Sequence, residues 1–363
     1  NMVYYKRYPS IYRQGKMKMK ELLSYDDVLL LPRYSDLRSR SEISLSVDLG
    51  NNLIMPLPVI ASPMDTISEA AMGASLGMLG GSAIVHRYNS IEIQGRHVSM
   101  ARDVASTHGH HSIHIGAAVG VTDDYVSRAI TALESGATFL CIDVAHGHHI
   151  LMKEAIGALR REVGQSTHIM AGNVATLQGI NDLADWGANS VRCNIGGGSI
   201  CSTRIQTGHG VPGLHTIFEC AQTDREVAII ADGGIRNSGD IVKALAAGAD
   251  AVMCGSLFSG TDEAPGKVYE ESDGSRWKSY RGMASKEAQM TWRGHYSSHE
   301  GVAARVPYRG SVKKIIQDIE KGLRSGLSYS GARTIGELQA CAEFIRQTNS
   351  GLSESGTHIK RHR

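Results

Sequence analysis

A (β/α)8 barrel, the TIM type of α/β fold, is what this sequence predicts, and three observations carry the prediction. Short apolar, β-branched runs recur eight times between residues 57 and 256. Amphipathic stretches with acidic starts and glycine stops separate several of them, as in "DDYVSRAITALESG" and "GDIVKALAAGAD". Each run ends in, or is followed directly by, glycine or a polar residue. Apolar strands alternating with helices make parallel βαβ units, and eight such units close a ring. A doubly wound open sheet is the rival, but the repeat spacing is short and no GxGxxG opens a helix after the first run.

In chain order the runs are "LPVIASPM" (57–64), "MLGGSAIV" (78–85), "HIGAAVGV" (114–121), "TFLCIDVA" (138–145), "HIMAGNVA" (168–175), "NSVRCNIG" (189–196), "VAIIADGG" (227–234) and "DAVMCGS" (250–256). Chemistry in such barrels sits where strands end and loops begin. Those ends carry "SPMD" (62–65), "DVAHG" (143–147), "GNVA" (172–175), "GGGSIC" (196–201), "DGG" (232–234) and "GS" (255–256). The loops after strands seven and eight usually hold a phosphate, and glycine-rich backbone can approach one closely. Cys201 ends the glycine loop after strand six. It is either a nucleophile held beside a phosphorylated ligand or an incidental thiol in a tight turn. His146, in "HGHH" after strand four, lies on the same face.

Residues 257–310 are polar and rich in Gly, Ser, Arg and Tyr. A long connection without regular structure reads as a lid or flap. Within it Trp292 and Tyr296 either stack on a ligand ring or pack the flap itself. Residues 311–347 read as two helices, "SVKKIIQDIEKGLRSGL" and "IGELQACAEFIRQ", either the closing barrel helix or an appendix. The organisation expected is a basic arm (1–23), one barrel with its flap (24–347) and a tail (348–363).

The chain has 363 residues, 42% hydrophobic and 20% charged, enough for one large barrel. A net charge of +2 gives no argument for a nucleic-acid partner. Residues 1–20 hold six Lys/Arg and no acid, which reads as a solvated arm. No apolar run approaches 18 residues and residues 1–20 contain no apolar core, so neither a membrane span nor a secretory signal is expected. The six cysteines are scattered without paired spacing, which fits a reduced, cytoplasmic protein. The histidines of "THGHHSIH" (His108, His110, His111, His114) lack zinc-ligand spacing and read as a polar loop. Asp26 and Asp27 read as helix caps.

Nine stretches, in order, resemble one family: "SYDDVLLLP", "ASPMDTISEAAM", "IDVAHGH", "AGNVAT", "GGGSICSTR", "ADGGIRNSGDIVKALAAGADAVMCGS", "YRGMAS", "EGVAARVPYRG" and "GLRSGLSYSGARTIGEL". Over residues 24–358 the chain resembles the inosine monophosphate dehydrogenases and guanosine monophosphate reductases. The resemblance implies a purine 5′-monophosphate substrate (GMP or IMP) and hydride transfer between its C2 and a nicotinamide. It makes Cys201 the nucleophile that forms a thioimidate, with Thr203 and Glu300 as an acid/base relay. Ser199, Asp232, Gly234, Gly255 and Ser256 match phosphate and ribose positions. Ser62, Met64, Tyr280, Gly282 and Met283 match positions lining the purine and phosphate. Asp143, with Val144 and Ala145, matches positions near the nicotinamide. The backbone carbonyls of Gly196, Gly198 and Cys201 resemble a potassium site that the family completes from a neighbouring subunit's tail, and "ESGTH" (354–358) resembles that tail. A homotetramer is implied. About 28 residues (86–113) join the second and third strands, which leaves no room for the tandem regulatory module of many family dehydrogenases.

The two activities of the family differ in what leaves the purine. The dehydrogenase hydrolyses its adduct with water activated by an arginine, normally in a contiguous Arg-Tyr pair on a long flap. The reductase expels ammonia, accepts hydride from NADPH and keeps a shorter flap. Here residues 282–300 are few and hold no such pair; the nearest is "WRGHY", with Arg293 and Tyr296 separated by two residues. Val144, "FEC" (218–220) and "LRSRSEISL" (37–45) look more like reductases, whereas "ASPMD", "ADGGIRNSGDI", "GTDEAPG" and the "AEFIR" and "ESGTH" tail look more like dehydrogenases. The flap carries the separating chemistry and weighs most. The expectation is an NADPH-dependent GMP reductase. The alternatives are an IMP dehydrogenase using NAD and a catalytically silent purine nucleotide-binding protein.

Overall fold

The structure, a computed structural model, describes residues 20–296 and 299–356. Most of the basic arm and the last two residues of "ESGTH" lie outside the described residues. Eight parallel strands close into a barrel: β1 (Val59–Ala61), β2 (Ser82–Val85), β3 (Ile115–Val119), β4 (Phe139–Asp143), β5 (His168–Val174), β6 (Ser190–Cys193), β7 (Ala228–Asp232) and β8 (Ala251–Cys254). Each lies inside one of the eight apolar runs and pairs with its neighbour in sequence. Val252 of β8 then stands opposite Val59 of β1 and completes the ring. Strands covered by helices outside and filled with side chains inside must be apolar on both faces. Ile60, Ile84, Ile115, Phe139 and Leu140 are accordingly sealed from solvent.

The intervening helices are α1 (Ala70–Met78), α2 (Ile91–Thr107), α3 (Tyr125–Glu134), α4 (Ile150–Val163), α5 (Leu177–Asp185), α6 (Thr203–Thr207), α7 (Gly213–Cys220) and α8 (Ser238–Ala246). Several start at a side chain that accepts from an otherwise orphaned backbone N–H. Ser90 Oγ accepts from Ile93 at 3.3 Å, Thr176 Oγ1 from Gly179 at 3.0 Å and Asn237 Oδ1 from Asp240 at 3.0 Å. The connection from β2 to β3 contains α2 and short loops, as its length requires.

Beyond β8 the structure corrects two expectations. The flap is not irregular. It holds an antiparallel sheet of β9 (Tyr269–Glu270), β10 (Arg276–Arg281) and β11 (Ala303–Pro307), with α9 (Lys286–Arg293) between the last two. Its residues are polar because the sheet stands largely in solvent and is held by its main-chain ladder rather than by an apolar face. Of the two C-terminal helices, α10 (Val312–Tyr329) packs against α8 and α1 and is the closing barrel helix. The second, α11 (Ile335–Cys341), stops early. Ala342 turns extended, and Phe344–Arg346 forms an antiparallel pair with Val28–Leu30. An available strand edge and β-prone Phe-Ile outweigh the helical period there. A last short helix, α12 (Asn349–Glu354), follows.

Asp27 caps as expected, accepting from the Ser24 backbone and hydroxyl at 2.7 and 2.8 Å. Asp26 does not; it forms an ion pair with Arg236. No helix among the described residues is long and apolar enough to cross a membrane.

Candidate active site

The loops at the C-terminal ends of the barrel strands and the flap enclose a cavity of about 380 Å³, within the usual range for a small-molecule site. Ser62 and Met64 enter it from the loop after β1, and Asp143, Val144 and Ala145 from the end of β4. The loop after β6 supplies Gly196, Gly198, Ser199, Cys201 and Thr203. Asp232 and Gly234 come from β7, Gly255 and Ser256 from the loop after β8, and Tyr280, Gly282, Met283 and Glu300 from the flap. Every site residue picked from sequence therefore lies on one wall or another of a single cavity.

Cys201 is half-buried and held on both sides. Its N–H donates to the Gly198 carbonyl at 3.1 Å, closing the glycine turn on itself. The flap then clamps the loop. Ser202 N–H donates to the Glu300 carbonyl at 3.0 Å, Ser202 Oγ to the His299 carbonyl at 2.7 Å, and Val302 N–H to the Ile200 carbonyl at 3.1 Å. This clamp places three side chains in a row: Cys201 Sγ lies 3.1 Å from Thr203 Oγ1, which donates to Glu300 Oε2 at 2.8 Å. A thiol, a hydroxyl and a carboxylate in hydrogen-bond contact have the geometry that a nucleophile joined to a proton relay requires.

At the glycine-lined end, Gly233 and Gly234 have φ of 84° and 76°, a conformation that favours glycine. A Cβ on Gly255 would sit 2.9 Å from the Tyr280 hydroxyl, so a side chain there would fill the space beside Ser62 and Met64. Burial pushes the Tyr280 phenol up, partly offset by a hydrogen bond with Ser199. Arg281, next on β10, grips Asp65 through Nε at 3.0 and 3.2 Å and reaches Thr291 Oγ1 of α9 at 3.1 Å. The flap is thus tied to the β1 loop as well as to the cysteine loop.

Several lining residues escaped the sequence reading. Arg192, within β6 and only 6% exposed, joins Asp143 to Asp232. Asn173 donates to Asp232 Oδ2 at 2.8 Å and to the Asn194 carbonyl at 3.1 Å. The Oδ1 atoms of Asn173 and Asn194 and the Nε of Arg87 are buried without hydrogen-bond partners among the described residues. Arg87 and Tyr88, beyond β2, meet Trp292 and Arg293 of α9. Trp292 packs edge-on to Tyr88 with ring centroids 5.1 Å apart, and the Arg293 guanidinium lies 4.6 Å from the Trp292 ring centre. Trp292 therefore packs the flap onto the barrel while lining the cavity. An arginine inside an apolar run and an asparagine at a strand end were the available signals. Tyr296 lies against His299 instead, with ring centroids 4.7 Å apart.

Gly196, Gly198 and Cys201 offer only backbone oxygens, the donor type that suits a hard, weakly bound cation rather than a transition metal. No group of three His, Cys, Asp or Glu able to hold a metal occurs among the described residues, the "THGHHSIH" loop included. His146 is exposed and not part of the cavity wall; burial and then its neighbours His148, His149 and His209 hold its pKa below the ordinary value. His148 pairs with Asp182 at 2.7 Å.

The domain model described as IMP dehydrogenase / GMP reductase matches residues 22–358. The inosine-5′-monophosphate dehydrogenase of Nitrosopumilus maritimus is 32% identical, over 94% of this chain and 99% of that protein. The GMP reductase of Leishmania major is 30% identical, over 94% and 97%. Among solved structures, a GMP reductase from Trypanosoma brucei in complex with guanosine 5′-monophosphate superposes with a TM-score of 0.88. It is 30% identical and covers 94% of this chain and 99% of that one.

Proposed function

We propose that this chain, which belongs to the IMP dehydrogenase / GMP reductase family of purine-monophosphate oxidoreductases, is a GMP reductase that converts GMP to IMP and ammonia. The flap carries this reading. The segment from Gly282 to Glu300 is short, its helix α9 ends at Arg293, and the guanidinium of Arg293 is stacked on Trp292 with two residues between it and Tyr296. No contiguous Arg-Tyr pair is present to activate a water for hydrolysis of a cysteine adduct. The reductive route needs none.

In this route the Cys201 sulfur forms a bond to C2 of the guanine, and the exocyclic amine leaves as ammonia. Thr203 and Glu300 move the protons that the departing amine requires. NADPH supplies a hydride to C2 when bound, and Cys201 then leaves as thiolate to release IMP. The residues present fit both ligands. Ser199, Asp232, Gly234, Gly255 and Ser256 would hold the phosphate and ribose, and Ser62, Met64, Tyr280, Gly282 and Met283 the purine. Asp143, Val144 and Ala145 would border the nicotinamide, beside the unpartnered Asn173 Oδ1. Potassium on the carbonyls of Gly196, Gly198 and Cys201, and a cytoplasmic homotetramer, complete the proposal.

One observation favours the second reading, IMP dehydrogenase: Arg293 lines the cavity and has no ion-pair partner among the described residues. The test is absorbance of reduced nicotinamide with purified protein and potassium, in two mixtures. A fall with GMP and NADPH that disappears in Cys201→Ala supports the reductase. A rise with IMP and NAD overturns it and makes Arg293 the candidate water activator. If neither changes while GMP still shields Cys201 from alkylation, the chain is a nucleotide-binding protein.

A further inference from the structure

Arg192 is the one arginine placed between the two halves of the cavity. It projects from β6, its side chain 8% exposed, between Asp143 at the end of β4 and Asp232 at the end of β7. Its guanidinium holds a carboxylate on each side. Nη1 donates to Asp143 Oδ1 at 2.6 Å, while Nη2 and Nε donate to Asp232 Oδ2 at 2.8 and 3.1 Å. Burial disfavours this cation, but the carboxylates of Asp232 and Asp143 outweigh burial and hold its pKa well above the ordinary arginine value.

Each carboxylate spends only one oxygen on this bridge. Asp232 Oδ2 is saturated by Arg192 and by Asn173 Nδ2. Asp232 Oδ1 and Asp143 Oδ2 accept from nothing among the described residues, and neither is sealed from the cavity. Two free carboxylate oxygens therefore face the same space from opposite sides of one rigid fork. Two anions in a half-dry wall repel, and the cation they share offsets that repulsion.

We infer that Arg192 is a positioning residue that couples the nucleotide and nicotinamide subsites, by fixing in one fork the two carboxylates that present a free oxygen to each ligand. The inference rests on the reading of the cavity given above. It goes further in one respect: a change at Asp143, on the nicotinamide side, is felt by the purine monophosphate when no nicotinamide is present.

The test is binding of GMP alone by calorimetry, followed by steady-state kinetics, for wild type, three single variants and one double variant. Asp143→Asn removes one anchor of the fork and is expected to weaken GMP about 5-fold or more. Arg192→Gln removes the shared cation and is expected to raise KM for both substrates by about 30-fold or more. Arg192→Lys keeps the charge without the fork and restores part of that loss. In the Arg192→Lys background, Asp143→Asn then has a smaller effect on GMP, as a coupled pair requires. Should Arg192→Gln fail to fold, the other variants decide. Unchanged GMP affinity in Asp143→Asn overturns the inference and leaves the proposed function standing. A wild type that binds no purine monophosphate overturns both.

Discussion

Two of the buried arginines, Arg160 near the N-terminal base of the barrel and Arg192 at the opposite rim, are used differently. Near the N-terminal base, Arg160 of α4 donates to the carbonyls of Gly164, Thr167 and Gly187 at 2.7–3.0 Å and to Asn189 Oδ1. All of these acceptors are neutral, and burial lowers its pKa. They belong to the turns that lead into β5 and β6, so the base arginine ties strand entrances together. At the catalytic rim, Arg192 binds two carboxylates whose remaining oxygens stay open to the cavity. The donors of Arg160 are consumed by the fold. At the rim some polar groups are left unfinished, as Asn173 Oδ1 and Asn194 Oδ1 also show. Stability and function are thus written in the same chemistry at opposite ends of the strands.

The sharpest way to expose the rim is to remove its nucleophile. Cys201→Ala is expected to lower kcat by roughly 10⁴-fold or more while purine monophosphate binding and melting temperature hold, checked by steady-state kinetics and calorimetry. Next comes the relay. Glu300→Gln keeps the size and the acceptor but not the proton capacity, and is expected to cost on the order of 10²- to 10⁴-fold in kcat with little change in GMP affinity. A loss of binding instead of kcat would mean that Glu300 only braces the flap.

The base breaks in the opposite way. Arg160→Met leaves several carbonyls unpaired and is expected to cost about 2–4 kcal/mol in denaturant unfolding. Turnover per folded molecule should stay at the wild-type level. A drop in kcat without a drop in stability would end the distinction between the two ends.

The smallest effect is a pH response at the base. Burial pushes His168 down to about 4, while its Nδ1 faces the Gly50 carbonyl and its Nε2 faces Ser190 Oγ. Between about 6.5 and 4 the unfolded chain binds a proton that the fold refuses, so this histidine costs stability as pH falls. Burial pushes Asp250 up to about 6. There the fold holds a proton that the unfolded chain releases, so this carboxyl costs stability as pH rises from about 4 to 6. The two slopes oppose each other. Asp250→Asn is expected to leave the histidine slope uncovered, with stability falling more steeply than wild type from pH 6.5 toward 4 in urea titrations.

Much of this was legible in the residues. Eight apolar runs became eight strands, and Ser90, Thr176 and Asn237 started helices, because burial on both faces and orphan N–H groups leave local marks. The glycine loop and its cysteine were legible because backbone conformation and thiol chemistry restrict the residue types allowed. Arg192 was not, since "NSVRCNIG" reads as a buried strand and the carboxylates it joins lie on β4 and β7, set by barrel register alone. The flap sheet hid for a related reason. Trp277 faces Pro307 and Tyr280 faces Ala304 across β10 and β11, pairings with no periodic apolar face behind them. Phe344–Arg346 passed for helix because the strand it meets lies at the other end of the chain.

That last pairing has a consequence for how the molecule is made. Val28–Leu30 leaves the ribosome before its one strand partner among the described residues, Phe344–Arg346, which comes more than three hundred residues later. At ordinary translation rates the first strand waits roughly 15–60 s with its hydrogen-bonding edge unmatched. Leu29 and Leu30 sit on that edge throughout, within reach of any neighbouring nascent chain that offers a strand. A message cut short before the codon for Phe344 would release a nearly whole barrel in which Val28–Leu30 has lost that partner for good.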